Sequence, residues 1–338
     1  MKPLNVEAIQ KEIANGYISE QAHPTAPLRI LNYTQRAQFD WHWTPETMQC
    51  RGLIVDAEWS VVARPFEKFF SFEQLDGAIP SEPFEVYEKM DGSLGILYRI
   101  DGAPYIATRG SFVSPQAERA TEILRRKYGH VQLDDSLTYL FEIIYPENRI
   151  VVDYGGMEDL ILLAAIETAT GAERPLDDIG FPLVKRYDGM TQFGELMAQQ
   201  DGAREGFVVR FQSGQRVKIK FDEYKRLHRI LTGISPKAIW EALRSGDDLS
   251  DIIERVPDEF YRWVRQTEAE LMSSFADIEN TARAGMIYEG GRKDIAEHFR
   301  RQRYPGVMFA MLDGKSYEDQ IWRMIKPSGH SFRCDIDV

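Results

Sequence analysis

Cysteine is scarce in this chain: two in 338 residues, Cys50 and Cys334. Two thiols exclude a disulfide framework and a four-ligand zinc site, and they suit a reducing compartment. Long apolar runs are also missing. The longest, Leu160 to Ile166, is far short of the ~18 residues of a membrane helix and reads as a buried strand. The opening MKPLNVEAIQKEIANGY has no apolar core of signal-peptide type, so a cytoplasmic protein with no membrane partner is expected. Positive charge is in the minority, with 41 Lys and Arg against 53 Asp and Glu, a net of −12. That balance excludes coating of nucleic acid or anionic membrane by bulk charge, but not a local basic groove. There is no repeat, no low-complexity tract, no Walker A run and no Gly-x-Gly-x-x-Gly. His42, His130, His228 and His298 are scattered without metal-ligand spacing.

What is present is a core. Hydrophobic residues make up 43%, and 18 Phe, 15 Tyr and 6 Trp supply large surfaces to bury, which argues against disorder. The length suits about two domains. A short helix over Val6 to Asn15 and a strand over Leu28 to Tyr33 come first. From about 50 to 222, β-type runs dominate: 52–55, 95–98, 139–144, 160–166, 206–211 and 217–220. Turn signals separate them, such as Asp91-Gly92, Asp101-Gly102 and Ser213-Gly214. Amphipathic helices are expected over Pro115 to Tyr128 and near Met190 to Gln199. After about 230 the apolar period turns helical, through Phe260, Trp263, Val264, Leu271, Phe275 and Ile278. Ser235-Pro236 reads as a helix start, and further helices are expected over 247–255, 292–302 and 317–325. Strands followed by helices give an α+β core of antiparallel sheets over 1–230 and an all-helical domain over 231–338.

The most informative stretch is Glu88-Lys89-Met90-Asp91-Gly92-Ser93-Leu94. A lysine ends a strand, and Asp-Gly then favours a tight turn. Alone, Lys-x-Asp-Gly also occurs in ordinary surface hairpins. Here Phe141-Glu142 follows in a strand, then Glu205-Gly206-Phe207-Val208-Val209, then Val217-Lys218-Ile219-Lys220. That order resembles the covalent nucleotidyltransferase superfamily of ligases and capping enzymes. Arg51-Gly52, Arg64 to Phe70, Thr108-Arg109-Gly110-Ser111 and Pro146 to Val151 narrow it. Over roughly residues 30–230 the chain resembles the phage-type RNA ligase 1 family of ATP-dependent RNA ligases. Ser93 stands where DNA ligases and capping enzymes usually carry Arg, and no β-rich oligonucleotide-binding domain follows Lys220.

The resemblance implies attack of a lysine amine on the α-phosphate of ATP, with Mg2+ or Mn2+. AMP then passes to an RNA 5′-phosphate and is displaced by a 3′-hydroxyl. Such covalent catalysis splits one hard step into easier ones. An unperturbed lysine is neutral in only about 1 of 2,500 molecules at pH 7, a handicap of roughly 4.6 kcal/mol. Nearby cations lower that barrier and neutralise the phosphates. Lys89 is the implied nucleophile, and Lys218 and Lys220 are the cations beside it. Asp91 is expected to orient Lys89 or a metal-bound water. Gly92 permits close backbone approach, with φ > 0 an option. Glu142 is expected near the ribose or metal waters, and Glu205 at metal waters. Arg51, Lys68, Phe70 and Glu88 complete the implied nucleotide site. For each, a plain turn residue, surface charge, buried salt bridge or core aromatic is the alternative. Lys218 and Lys220 share a strand face and repel unless an anion lies between them.

Arg109 and Ser111 are implied RNA contacts, although the family tends to carry Lys at the position of Arg109 and Arg is not an equivalent donor. From Arg204 to Arg229 there are eight Lys or Arg against three acids. This stretch reads as an RNA backbone track that includes Arg226 and Arg229. Arg125-Arg126-Lys127 and the cluster over 300–303 are two further basic groups, or else solvated helix faces. The expected partner is RNA with 5′-phosphate and 3′-hydroxyl ends, with nicked tRNA an extrapolation for the helical appendage. The expected place is the cytoplasm of a bacterial cell or of a phage-infected host. An ATP-dependent DNA ligase or GTP-using capping enzyme, and a non-catalytic RNA-binding module, are the competing readings.

Overall fold

The computed structural model describes residues 4–75, 79–190, 192–199, 201, 204–222, 224–225, 235–247, 249 and 261–327. It divides the chain into two compact units, residues 1–231 and 232–338.

Three sheets and five helices build the first unit among its described residues. The first sheet runs β1 (Ile18–Ala22), β2 (Leu28–Tyr33), β3 (Arg51–Asp56) and β4 (Val61–Ala63). Helices α1 (Val6–Ala14), α2 (Gln35–Phe39) and α3 (Pro45–Gln49) are interleaved with it. The next strands in the chain are β5 (Phe70–Ser71), β6 (Phe84–Lys89), β7 (Ser93–Ile100) and β8 (Ala103–Ala107). They are followed by β9 (Leu137–Ile144), β10 (Asp159–Glu167), β11 (Glu173–Arg174), β12 (Arg186–Tyr187), β13 (Gly206–Phe211) and β14 (Arg216–Lys220). The second sheet has the order β11-β10-β9-β7-β8, and the third β12-β6-β13-β14-β5. All ladders within the sheets are antiparallel except β14 against β5, a parallel pair that the sequence reading did not contain.

The long apolar runs of β9 and β10 follow from burial on both faces. On one face Tyr139, Phe141, Ile143 and Leu160 pack against Ala120, Ile123 and Leu124 of α4 (Pro115–Tyr128). On the other, Leu140 and Ala164 meet Ile30 and Ile54 of the first sheet. Helix α4 starts where Ser114 caps it, with its side chain accepting from the Ala117 N–H and Pro115 in the first turn. The third sheet has alternating strands. Val86, Phe207, Val209, Phe211, Val217 and Ile219 turn to an apolar core shared with Leu196 of α5 (Phe193–Ala198) and with Phe221 and Tyr224. Period-2 alternation then sends Lys89, Lys218 and Lys220 to the opposite face.

The second unit is helical where described: α6 (Pro236–Ser245), α7 (Tyr261–Ala284), α8 (Arg292–Arg300), α9 (Pro305–Leu312) and α10 (Glu318–Met324). Ser235 caps α6, and Gly246 at φ 75° ends it. Ile278, Ala282, Ile295, Phe299, Val307, Met308 and Ile321 form its core. The helix expected over 247–255 lies outside the described residues, apart from Asp247 and Leu249. Among the described residues, no helix is long and apolar enough to cross a membrane.

Candidate active site

The site is set by strand register. Gly206, first in β13, is paired with Lys89 at the end of β6 and with Lys220 at the end of β14. A Cβ at Gly206 would lie 2.0 Å from the Ile219 carbonyl oxygen, and its φ is +151°. Glycine is therefore the residue that lets three strand ends close up here. Directly before it, Glu205 is buried, at 3% exposure. Its Oε1 lies 2.7 Å from Lys89 Nζ and 3.0 Å from Lys220 Nζ. The anion that reconciles the lysines is thus Glu205, with Lys218 two residues away on the same strand face. Burial alone pushes the Glu205 carboxyl upward, but the Lys89 and Lys220 charges outweigh it and hold the group below the usual carboxylate range. Lys89 is thus held in an ion pair with Glu205. To act as a nucleophile it must lose both its proton and this partner.

The turn after Lys89 is held by long-range contacts. Asp91 Oδ2 accepts from the Val151 and Val152 N–H groups at 2.8 and 2.7 Å, and Oδ1 accepts from the Tyr224 hydroxyl at 2.8 Å. The Asp91 N–H donates to the Tyr154 hydroxyl at 2.8 Å. Its carboxylate ties the Lys89 turn to two distant segments. Gly92 donates its N–H to Glu142 Oε1 at 3.0 Å. A Cβ there would meet the Ile143 oxygen at 2.6 Å, so the glycine serves close approach and not a left-handed φ. Burial pushes the Glu142 carboxyl up to about 8, with Glu205 and Asp91 adding to the effect and Lys89 and the Gly92 N–H opposing it. Ser93 and Asn148, which also bonds the Ile143 carbonyl, brace the same turn.

The upstream residues divide. Arg51 lies 5.4 Å from the Phe69 ring, and Lys218 Nζ lies 5.8 Å from the same ring. Phe69, which the sequence reading passed over, is therefore the aromatic beside the lysine face. Phe70 instead packs on Trp41 and Trp43, with centroids at 5.2 and 5.5 Å. Lys68, at 3% exposure, is enclosed by the rings of Tyr33, Trp43 and Phe70 at 5.0–5.4 Å. Arg109 donates to the Tyr33 hydroxyl at 2.9 Å. Ser111 serves its own loop, its Oγ accepting from the Val113 N–H. Glu88 faces away from Lys89 on the opposite side of β6, where its Oε2 accepts from the Tyr187 hydroxyl at 2.8 Å.

The linear basic track also changes in space. Arg204 pairs with Asp201, Arg210 with Glu85 and Glu173, Arg216 with Glu173, and Lys225 with Glu73 and Asp222. Glu85, Glu173 and Glu73 come from distant strands and loops and Asp201 and Asp222 from nearby, so the described part of the positive stretch is largely neutralised. Arg226 and Arg229 lie outside the described residues. Of the other clusters, Arg126 and Lys127 pair with Glu158 and Asp159, and Arg301 pairs with Glu297.

Among the described residues, no three His, Cys, Asp or Glu side chains converge as a direct metal cage. Glu142 and Glu205 beside Lys89 fit a hard divalent cation held largely through water and phosphate oxygens. A cavity of about 650 Å³ opens along Arg64 to Phe70 and Ser213 to Arg216. Its size is in the range of small-molecule sites.

The site is thus centred on lysines, on one face of a three-strand junction. The RNA ligase family model matches residues 49–225, and the chain belongs to that family. A "Putative RNA ligase" of Thermovibrio ammonificans is 32% identical over 214 residues, covering 56% of this chain and 55% of that protein. A "Putative bifunctional polynucleotide kinase/RNA ligase" of Autographa californica nuclear polyhedrosis virus is 30% identical over 234 residues, covering 60% of this chain and 33% of that protein. The chain thus spans about half the length of the first and a third of the second. An archaeal ATP-dependent RNA ligase structure is 16% identical with a TM-score of 0.48, covering 92% of this chain and 96% of that one.

Proposed function

We propose that this chain is an ATP-dependent RNA ligase that works through a lysyl–AMP intermediate. One observation carries the reading: Lys89 and Lys220 converge on a single buried oxygen of Glu205, with Lys218 on the same face. Incoming phosphates replace that carboxylate as the partner of the lysines. Deprotonated Lys89 attacks the α-phosphorus of ATP; a P–N bond forms and the bond to pyrophosphate breaks. Lys218 and Lys220 stay on the phosphate oxygens and stabilise the charge that builds up in transfer. Asp91, through the 151–152 backbone and Tyr224, fixes where the Lys89 turn stands. Arg51 and Phe69 flank the lysine face and border the nucleotide.

A divalent cation, Mg2+ or Mn2+, would be held through waters by Glu205 and by Glu142 after displacing its proton, and it would neutralise charge on the phosphates. In the second step an oxygen of an RNA 5′-phosphate attacks the AMP phosphorus and Lys89 leaves. In the third, a 3′-hydroxyl attacks that 5′-phosphate and AMP leaves. Residues 1–230 form the adenylyltransferase part, and the helical part from 231 takes part in recognising structured RNA, nicked tRNA being the first to try. Transfer of label from α-labelled ATP to protein on a denaturing gel tests the reading. Wild type takes label and Lys89→Ala takes none. No label on wild type, or equal label on both, overturns it. GTP in place of ATP, and DNA in place of RNA ends, separate the capping-enzyme and DNA ligase readings.

A further inference from the structure

Trp41 is one of three non-glycine residues at positive φ among the described residues, with Trp59 and Asp101. It follows the C-cap of α2, with its N–H directed to the Gln38 carbonyl, at φ +55°. That left-handed position after a helix is where glycine is favoured, and a bulky residue there is an outlier. The indole is nevertheless half exposed, at 48%. A large apolar side chain placed in an unfavourable conformation and left facing water points to a role outside the fold.

Its surroundings say what the role is. Trp41 leans on Phe70, with centroids 5.2 Å apart at 41°, and meets Trp43 edge-on at 6.2 Å and 84°. Trp43 in turn meets Tyr33 at 5.2 Å. Two cations are built into this aromatic group. Lys68 Nζ is within 5.4 Å of three of the rings, and Arg109 lies over Tyr33 at 5.1 Å. The neighbouring carboxylate, Asp40, is answered by Arg36 at 3.4 Å. Lys68 is enclosed and holds the rings together, whereas an exposed indole with Arg109 on the same ring group suits a flat π-system attached to a phosphodiester, which is the chemistry of a single-stranded nucleic acid. Place matters too. Phe70 is the first residue of β5, and the next residue, Ser71, is in register with Lys218. Alternation turns Phe70 itself away from Lys218, and Phe69, directly before it, lies 5.8 Å from Lys218 Nζ, so the aromatic group adjoins the lysine face through its neighbour in the chain.

We propose that Trp41, backed by Phe70 and Trp43, is a stacking platform for a base of the RNA strand near the end being joined. This rests on the ligase reading, since it names a subsite for that reaction's substrate. The test is fluorescence anisotropy of a dye-labelled single-stranded oligoadenylate carrying a 5′-phosphate, on the full chain and its variants. Loss of one stacked base weakens binding roughly 5- to 150-fold. Trp41→Ala and Trp41→Gly should show that loss, and Trp41→Phe should keep most of the affinity. Trp41→Gly should melt no lower than wild type, because glycine relieves the backbone, so a loss of affinity there is not a loss of fold. Label transfer from ATP should change far less than RNA affinity. Equal RNA affinity in wild type and Trp41→Ala overturns the platform, as does a wild type that takes label but does not bind the oligonucleotide. A wild type that binds RNA through Trp41 but takes no label overturns the ligase reading alone.

Discussion

Glu142 and Glu205 are both strand-associated carboxylates near Lys89, yet they titrate in opposite directions. Glu205 has two ammonium groups on one oxygen and stays ionised. Glu142 has a backbone N–H and is pushed up to about 8 by burial, so it is largely protonated at pH 7. Folded Glu142 therefore keeps a proton that the unfolded chain releases above its ordinary value. Its contribution to stability falls as pH rises from about 4.5 to about 8, by up to roughly 5 kcal/mol. Glu142→Gln should match wild type in stability near pH 4 and exceed it increasingly toward pH 8.5, measured by urea unfolding. A gap that does not grow with pH would refute this. Both carboxylates are legible in the sequence as acids in strands. Their opposite states are not, because those depend on partners that only the register brings close.

At the scale of elements, the junction of β6, β13 and β14 depends on Gly206. With its Cβ position 2.0 Å from a backbone oxygen, Gly206→Ala must push β14 away from β13 and displace Lys220 from Glu205. A cost of about 3 kcal/mol or more is expected in thermal or urea unfolding, together with loss of ATP labelling. Gly194→Ala is the control. It lies in α5 with open space around its Cβ position, so it should be neutral or stabilising by up to about 1 kcal/mol. If Gly206→Ala is as mild as the control, the register argument fails.

Strands with strict alternation, such as 217–220, were readable with their faces, which is why Lys218 and Lys220 could be placed together. The segment 64–69 is irregular, so no alternation indicated that Phe69 and not Phe70 faces the lysines. Helices α2 and α3 have five residues each, too short for a helical period to show. Asp91 was readable as a turn residue, but its partners lie 60, 61 and 133 residues away.

For the whole molecule, a charge of −12 bears directly on the proposed RNA substrate. Eight cations between 204 and 229 look like a track, and a strand engaging all of them would show a log–log salt slope of about −6. The fold brings Glu85, Glu173, Glu73, Asp201 and Asp222 onto the described members of that set. Each of those pairs would have to open before it could release a counterion from RNA. The expected slope is therefore shallower than about −3, measured as oligoadenylate affinity between low and moderate salt. A slope near −6 would show that RNA breaks these pairs and that the linear track is real after all. With a shallow slope, stacking and the end phosphate carry the binding. On the proposed ligase reading, an acidic enzyme that grips only the ends it joins then releases a sealed strand that no longer presents them.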